Sequence, residues 1–197
     1  MTSIKKVCVF CASSPGIDKI YFRDAEELGR IFVDNKIHVV YGGGSVGLMG
    51  CLADTIMAGN GQISGIIPRF MKEMNWAHQS IAEMIEVESM HERKNLMIRD
   101  VDAVVALPGG VGTLEELMEV ITLKQLGQFF APIIILNTGG FYNHLDEFLH
   151  KMIEQRFMRE MHKEIWQLVD SPAKILPAIF NSKPWNGNAI KFAAVDE

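Results

Sequence analysis

Cysteine is scarce in this chain. Three residues in 197, Cys8, Cys11 and Cys51, are too few and too odd in number for a disulfide framework, and they fit reduced thiols. Cys8-x-x-Cys11 has the spacing of redox and zinc motifs, but it lies inside the apolar run Val7–Cys11, which reads as a buried strand. A zinc site would need two more thiols or imidazoles at close spacing. Long apolar runs are also missing. The longest, Phe129 to Leu136, has eight residues and is broken by Pro132, against the ~20 that span a bilayer. Lys5-Lys6 precede a stretch too short for a signal-peptide core, so the expected location is the cytoplasm. No block of like charge, internal repeat or linker interrupts the chain. With 19 basic against 24 acidic residues the net charge is −5, which argues against a coat for nucleic acid or anionic membrane. Aromatics make up only 9%, and Trp76, Trp166 and Trp185 are too dispersed to form a base-stacking ladder.

What the chain does have is alternation. Candidate strands Lys6–Ala12, His38–Tyr41, Gln62–Ile67, Met84–Val87, Ala103–Leu107, Ile133–Leu136 and Ile165–Val169 are separated by amphipathic stretches. The main ones are Tyr21–Val33, Leu48–Ala58, Glu92–Arg99, Gly112–Leu126 and Tyr142–Arg156. The strands lack period-2 alternation, as strands covered by helices on both faces do. The expectation is an α/β fold, one domain over 1–182 with a mostly parallel sheet of about seven strands, followed by an irregular tail over 183–197. Twelve methionines read as fillers of irregular core gaps.

Three small-residue turns follow strands and precede helices: Ser13-Ser14-Pro15-Gly16, Gly42-Gly43-Gly44-Ser45-Val46-Gly47 and Pro108-Gly109-Gly110-Val111-Gly112-Thr113. In a parallel sheet all such turns share the carboxyl edge, where open α/β sheets bind ligands. Glycines allow close backbone approach, and free N–H groups at a helix start attract an anion. Ser14, Gly43, Gly44 and the Gly110–Thr113 segment are therefore candidate phosphate ligands. Gly42-x-Gly44-x-x-Gly47 matches the dinucleotide fingerprint, but Gly61 to Phe70 lacks the acidic residue that would hold a ribose hydroxyl. Only Arg69 keeps an NADP oxidoreductase in play. No G-x-x-x-x-G-K-[ST] is present.

Arg93 and Lys94 are expected in the first turn of a helix, against the helix dipole, which points either to an outside anionic partner or to a solvated charged turn. Glu116 stands in the first turn after the proposed phosphate loop. A carboxylate and a guanidinium facing one anion-binding crevice form a minimal kit for cleaving a phosphorylated glycoside. On the helix from Gly112, Leu114, Leu117, Met118 and Ile121 read as the sheet-facing stripe. Glu116, Val120 and Leu123 read as an outward face that a second subunit covers.

The segments Tyr41–Gly50, Met90–Lys94 and Pro108–Glu116 resemble the LOG (Lonely Guy) family, cytokinin riboside 5′-monophosphate phosphoribohydrolases, some of them long mislabelled lysine decarboxylases. P-G-G-x-G-T-x-x-E with an upstream Arg-Lys pair carries the resemblance, which runs from about Lys6 to Phe180. It implies a Rossmann-like three-layer sandwich and cleavage of the N-glycosidic bond of a purine nucleoside monophosphate, AMP included. Free base and ribose 5-phosphate are the implied products. The implied catalytic pair is Arg93 and Glu116. The implied substrate-binding set is Arg93, Lys94, Gly110, Val111, Gly112, Thr113, Leu114, Glu115, Glu116 and Thr122. Glu73 or Asn75 falls at the family's early substrate-binding glutamate, and Val111 stands where many relatives have Tyr. No metal or organic cofactor and a homodimer are implied. A competing expectation is a carrier of a phosphorylated pterin-type cofactor, which shares the fold and needs no positioned carboxylate.

Overall fold

The structure is a computed structural model that describes residues 4–185. Seven strands form one sheet: β1 (Lys6–Phe10), β2 (His38–Tyr41), β3 (Ile63–Pro68), β4 (Glu83–Val87), β5 (Ala103–Ala106), β6 (Ile133–Leu136) and β7 (Trp166–Val169). Their order is β4-β3-β2-β1-β5-β6-β7, and every pairing is parallel. The helices are α1 (Lys19–Asp34), α2 (Gly47–Ala58), α3 (Arg69–Glu73), α4 (Met90–Met97), α5 (Val111–Gln125), α6 (Asn143–Glu154) and α7 (Ile175–Phe180).

Both faces of the sheet's central strands are dry, which is why β1, β5 and β6 read as unbroken apolar runs, whereas the edge strand β4 is mostly exposed. Val7, Val9 and Cys11 pack with Leu28 and Phe32 of α1, Leu52 and Ile56 of α2 and Ile179 of α7. Cys8 and Phe10 pack on the other face with Met97 of α4, Leu117 and Val120 of α5 and Leu149 of α6. The result is a three-layer Rossmann-like sandwich. Each expected strand is present within two residues of its expected bounds. The two short helices α3 and α7 were not anticipated by periodicity, since five and six residues show no full amphipathic repeat.

The expected facing of α5 is corrected. Val120 and Glu116 are 1% and 5% exposed and lie on the core side with Thr113, Leu117, Ile121 and Lys124. These positions follow i, i+3, i+4, i+7, i+8 and i+11, one continuous helical face. Leu114, Met118 and Leu123 are half-buried at its margins, and Thr122 is exposed. Polarity misleads at Glu116 because its charge is compensated inside the protein rather than by water. Of the expected tail, residues from 186 onward lie outside the described residues. Trp185 packs on α5, its indole Nε1 donating to the Lys124 carbonyl at 2.7 Å.

The chain steps outward from β1 to β2, β3 and β4, then returns past β1 to lay down β5, β6 and β7. The turns leaving β1 and β5 therefore diverge to opposite faces, and a crevice opens between them at the carboxyl edge.

Candidate active site

A cavity of ≈ 480 Å³ fills that crevice. The three glycine- and serine-rich turns meet there, contributing Ser13, Ser14, Gly42, Gly44, Gly110, Gly112 and Thr113 to its wall together with Arg93, Glu115 and Glu116. Their convergence depends on backbone contacts that side chains would block. Gly47 has φ +63°, and a Cβ there would run into the backbone of Ser13 and Ser14. The turn after β2 is thus pressed against the turn after β1.

Arg93 and Glu116 form a buried ion pair beside this cavity. Ser89 caps α4 by accepting from the Glu92 N–H, and one turn on Arg93 enters the interior with its side chain 5% exposed. Its Nη1 donates to Glu116 Oε1 at 2.6 Å, its Nε to the Ile66 carbonyl at 3.1 Å and its Nη2 to the Gly42 carbonyl at 3.4 Å. The guanidinium is therefore fixed by β3, by the turn after β2 and by α5 at once. A Cβ on Gly42 would overlap it, so glycine is what lets Arg93 lie against that turn. Burial raises the pKa of Glu116, and the positive charge and hydrogen bond of Arg93 only partly offset this. Burial, and then the Glu116 charge, also raise the Cys11 thiol, so Cys11 in the cavity wall is an inert neutral group. All three cysteines are free, and Cys8 and Cys11 are buried as expected.

The start of α5 faces the same space. Gly110 stands at its N-cap with no side chain to cap it, so the first helical N–H groups have no intrahelical partner. A Cβ at Gly110 or Gly112 would meet nothing within 4 Å, and that open room is continuous with the place an anion would occupy.

Other expected site residues lie elsewhere. Lys94 is held on the flank of α5 by Glu115 and by Glu119 at 2.8 Å, rather than facing the cavity. Gly43, with φ +76°, lies between the lining glycines Gly42 and Gly44 and sits against Ile67 and Met84. Val111 is 83% exposed at the helix start, while Leu114 is half-buried and outside the cavity wall. Glu73 on α3 and Thr122 on the outer side of α5 are not brought to the cavity. Asn75 is exposed, with φ +59°. Arg69 is bonded to Glu86 at 2.9 Å and to Glu88, which leaves it no free charge for an NADP phosphate.

Residues not singled out from the sequence supply an apolar wall: Val46, Met49, Ile67, Met71, Trp76 and Met90. Trp76 is half exposed at the mouth, and its carbonyl accepts from the Ser45 N–H at 3.1 Å, tying it to the turn after β2. Three of the twelve methionines thus line the cavity, Met49 while also packing against the core. Among the described residues no cluster of three His, Cys, Asp or Glu is placed to hold a metal ion, and no helix is long and apolar enough to cross a membrane.

Comparison with known proteins follows the same lines. A family profile described as "Possible lysine decarboxylase" matches residues 49–179. The probable cytokinin riboside 5′-monophosphate phosphoribohydrolase LOGL2 of Oryza sativa subsp. japonica is 42% identical over 180 residues, 91% of this chain and 74% of that protein. Cytokinin riboside 5′-monophosphate phosphoribohydrolase LOG5 of Arabidopsis thaliana is 39% identical over 186 residues, 94% of this chain and 82% of that protein. Among solved structures, the molybdenum cofactor carrier protein of Chlamydomonas reinhardtii superposes with a TM-score of 0.68 over 90% of this chain and 96% of its own. At 16% identity that likeness concerns the fold alone. With about two-fifths of its residues identical to such relatives over nearly its whole length, the chain belongs to the LOG family of phosphoribohydrolases.

Proposed function

We propose that this chain hydrolyses the N-glycosidic bond of purine and cytokinin riboside 5′-monophosphates, AMP among them, releasing free base and ribose 5-phosphate. The observation that carries the reading is the buried Arg93–Glu116 pair, set in the wall of a cavity that also holds the uncapped start of α5. The helix start and the Ser13-Ser14 turn receive the 5′-phosphate. The apolar wall around Trp76, Met71 and Met49 receives the base, and this ordering puts the ribose beside Glu116. Arg93 holds Oε1, leaving Oε2 to stabilise the cationic sugar or orient the attacking water. Arg93 holds the carboxylate in place and opposes the burial that favours its neutral form. A carrier would gain nothing from this pair, and the resemblance to carriers rests on fold.

The chain works as a homodimer in this reading. Leu114, Met118, Thr122 and Leu123 make a partly exposed strip on α5, and a second copy covering it explains why apolar residues stand there. The three free thiols support a reducing compartment, the cytoplasm. The test is to compare AMP with adenosine. Remote phosphate binding lowers the barrier at the glycosidic bond, so kcat/KM for AMP is expected to exceed that for adenosine by about 10² or more. Equal values would remove the phosphate cradle from the account.

A further inference from the structure

We propose that the cavity at the carboxyl-terminal end of α5 is a second ligand site, binding a small phosphate- or carboxylate-bearing oxyanion on Lys124. The cavity, ≈ 300 Å³, lies where α5 ends and β6 and β7 begin. Helical rise over the 15 residues of α5 puts it about 20 Å from the catalytic cavity at the other end of the same helix.

Its wall is cationic, with Lys124, Lys163 and Lys183 against a single carboxylate, Glu164. Two of these lysines have counter-charges: Lys163 pairs with Glu160, and Lys183 lies 3.8 Å from Glu164. Lys124 differs. It is 4% exposed, and among the described residues its ammonium meets neutral groups, the Ala131 carbonyl and the Trp185 ring. Nζ donates to the Ala131 carbonyl at 2.8 Å and lies 5.8 Å from the centre of the Trp185 ring. The partial negative charge at the end of α5 offsets part of one positive charge. A lysine serving only to cap that helix would need no polar cavity beside it. Asn181 and Gln167 add amide groups to the wall, suited to the oxygens of an anion. A buried ammonium without a carboxylate is stabilised most by an anion that fills the remaining space. Burial has lowered the Lys124 pKa to about 8, with no neighbouring charge raising it again.

The tryptophans provide the readout, because Trp185 lines this cavity and Trp76 the catalytic one. Indole N–H resonances of ¹⁵N-labelled protein are followed while inorganic phosphate, or separately citrate, is raised to about 20 mM, a range that detects millimolar affinity. The Trp185 resonance is expected to move with at least one probe, and which probe moves it assigns the phosphoester or the carboxylate class. In Lys124→Met the affinity read at Trp185 is expected to fall at least about tenfold, while Trp76 still responds to AMP. On the wild type, the Lys124 ammonium is expected to titrate above about 8 when the probe is bound. A motionless Trp185, an equal shift in a Lys124→Met protein whose Trp76 still responds, or an unmoved Lys124 titration overturns the proposal.

Discussion

Arg93 reaches Glu116 across 23 positions of sequence, and both side chains are 5% exposed when they meet at 2.6 Å. The pair exists because the Gly42 carbonyl, 51 residues before Arg93, anchors the other end of the guanidinium. Gly42→Ala places a methyl where that guanidinium lies. The expected outcome is a fall in kcat of about 10²-fold, since a displaced positioning group costs that much even when the chemistry is intact. Thermal melting is expected to fall as well, because a buried pair is being disturbed. Steady-state kinetics beside calorimetry check both.

The pH profile follows from Glu116. Burial raises its pKa, and the group acts as a carboxylate, so activity is lost as pH falls through that raised value. The acid limb of kcat/KM is expected above the ordinary glutamate value of 4.5. A limb at or below that value in the wild type would show that another group controls ionisation.

The two sides of α5 predict opposite fates for the same substitution. Val120→Asp buries a charge in the core between α5 and the sheet and is expected to cost more than about 3 kcal/mol, enough to unfold a marginal domain. Met118→Asp, at the half-buried margin, is expected to leave the fold intact and shift the protein toward monomer. Light scattering with circular dichroism separates the two.

Lys124 predicts a stability change of unusual sign. Its folded pKa of about 8 lies below the unfolded 10.5, so the native state carries a charging penalty that is full below pH 8. The penalty is relieved as pH rises from about 8 toward 10.5, where the native state has released its proton and the unfolded state has not. That difference corresponds to about 3 kcal/mol. Lys124→Met is therefore expected to raise Tm at neutral pH, with the gain shrinking near pH 10. A gain independent of pH would assign it to packing alone.

The sheet was legible because its central strands are buried on both faces, so Val7–Phe10, Ala103–Ala106 and Ile133–Leu136 stand out as runs. The crevice was legible from chain order, since strand-to-helix turns of a parallel sheet share one edge. The facing of α5 was not. Glu116 looks outward by polarity, and only the arrival of Arg93 from α4 explains its burial. Trp76 and Met71 gave no signal either, because they reach the cavity through the contact of Gly44 with Ala77, a pairing between distant loops. The anchoring of Arg93 by Ile66 and Gly42 is likewise a property of three-dimensional proximity.

The most direct test is the release of free adenine from AMP by wild-type protein and by Glu116→Gln. The amide keeps the shape of the side chain and removes its charge. The account predicts that the wild type releases adenine and ribose 5-phosphate, while the variant binds AMP with similar affinity and turns it over at least about 10²-fold more slowly. A wild type that binds AMP without releasing adenine, or a variant within a few-fold of wild-type turnover, contradicts it.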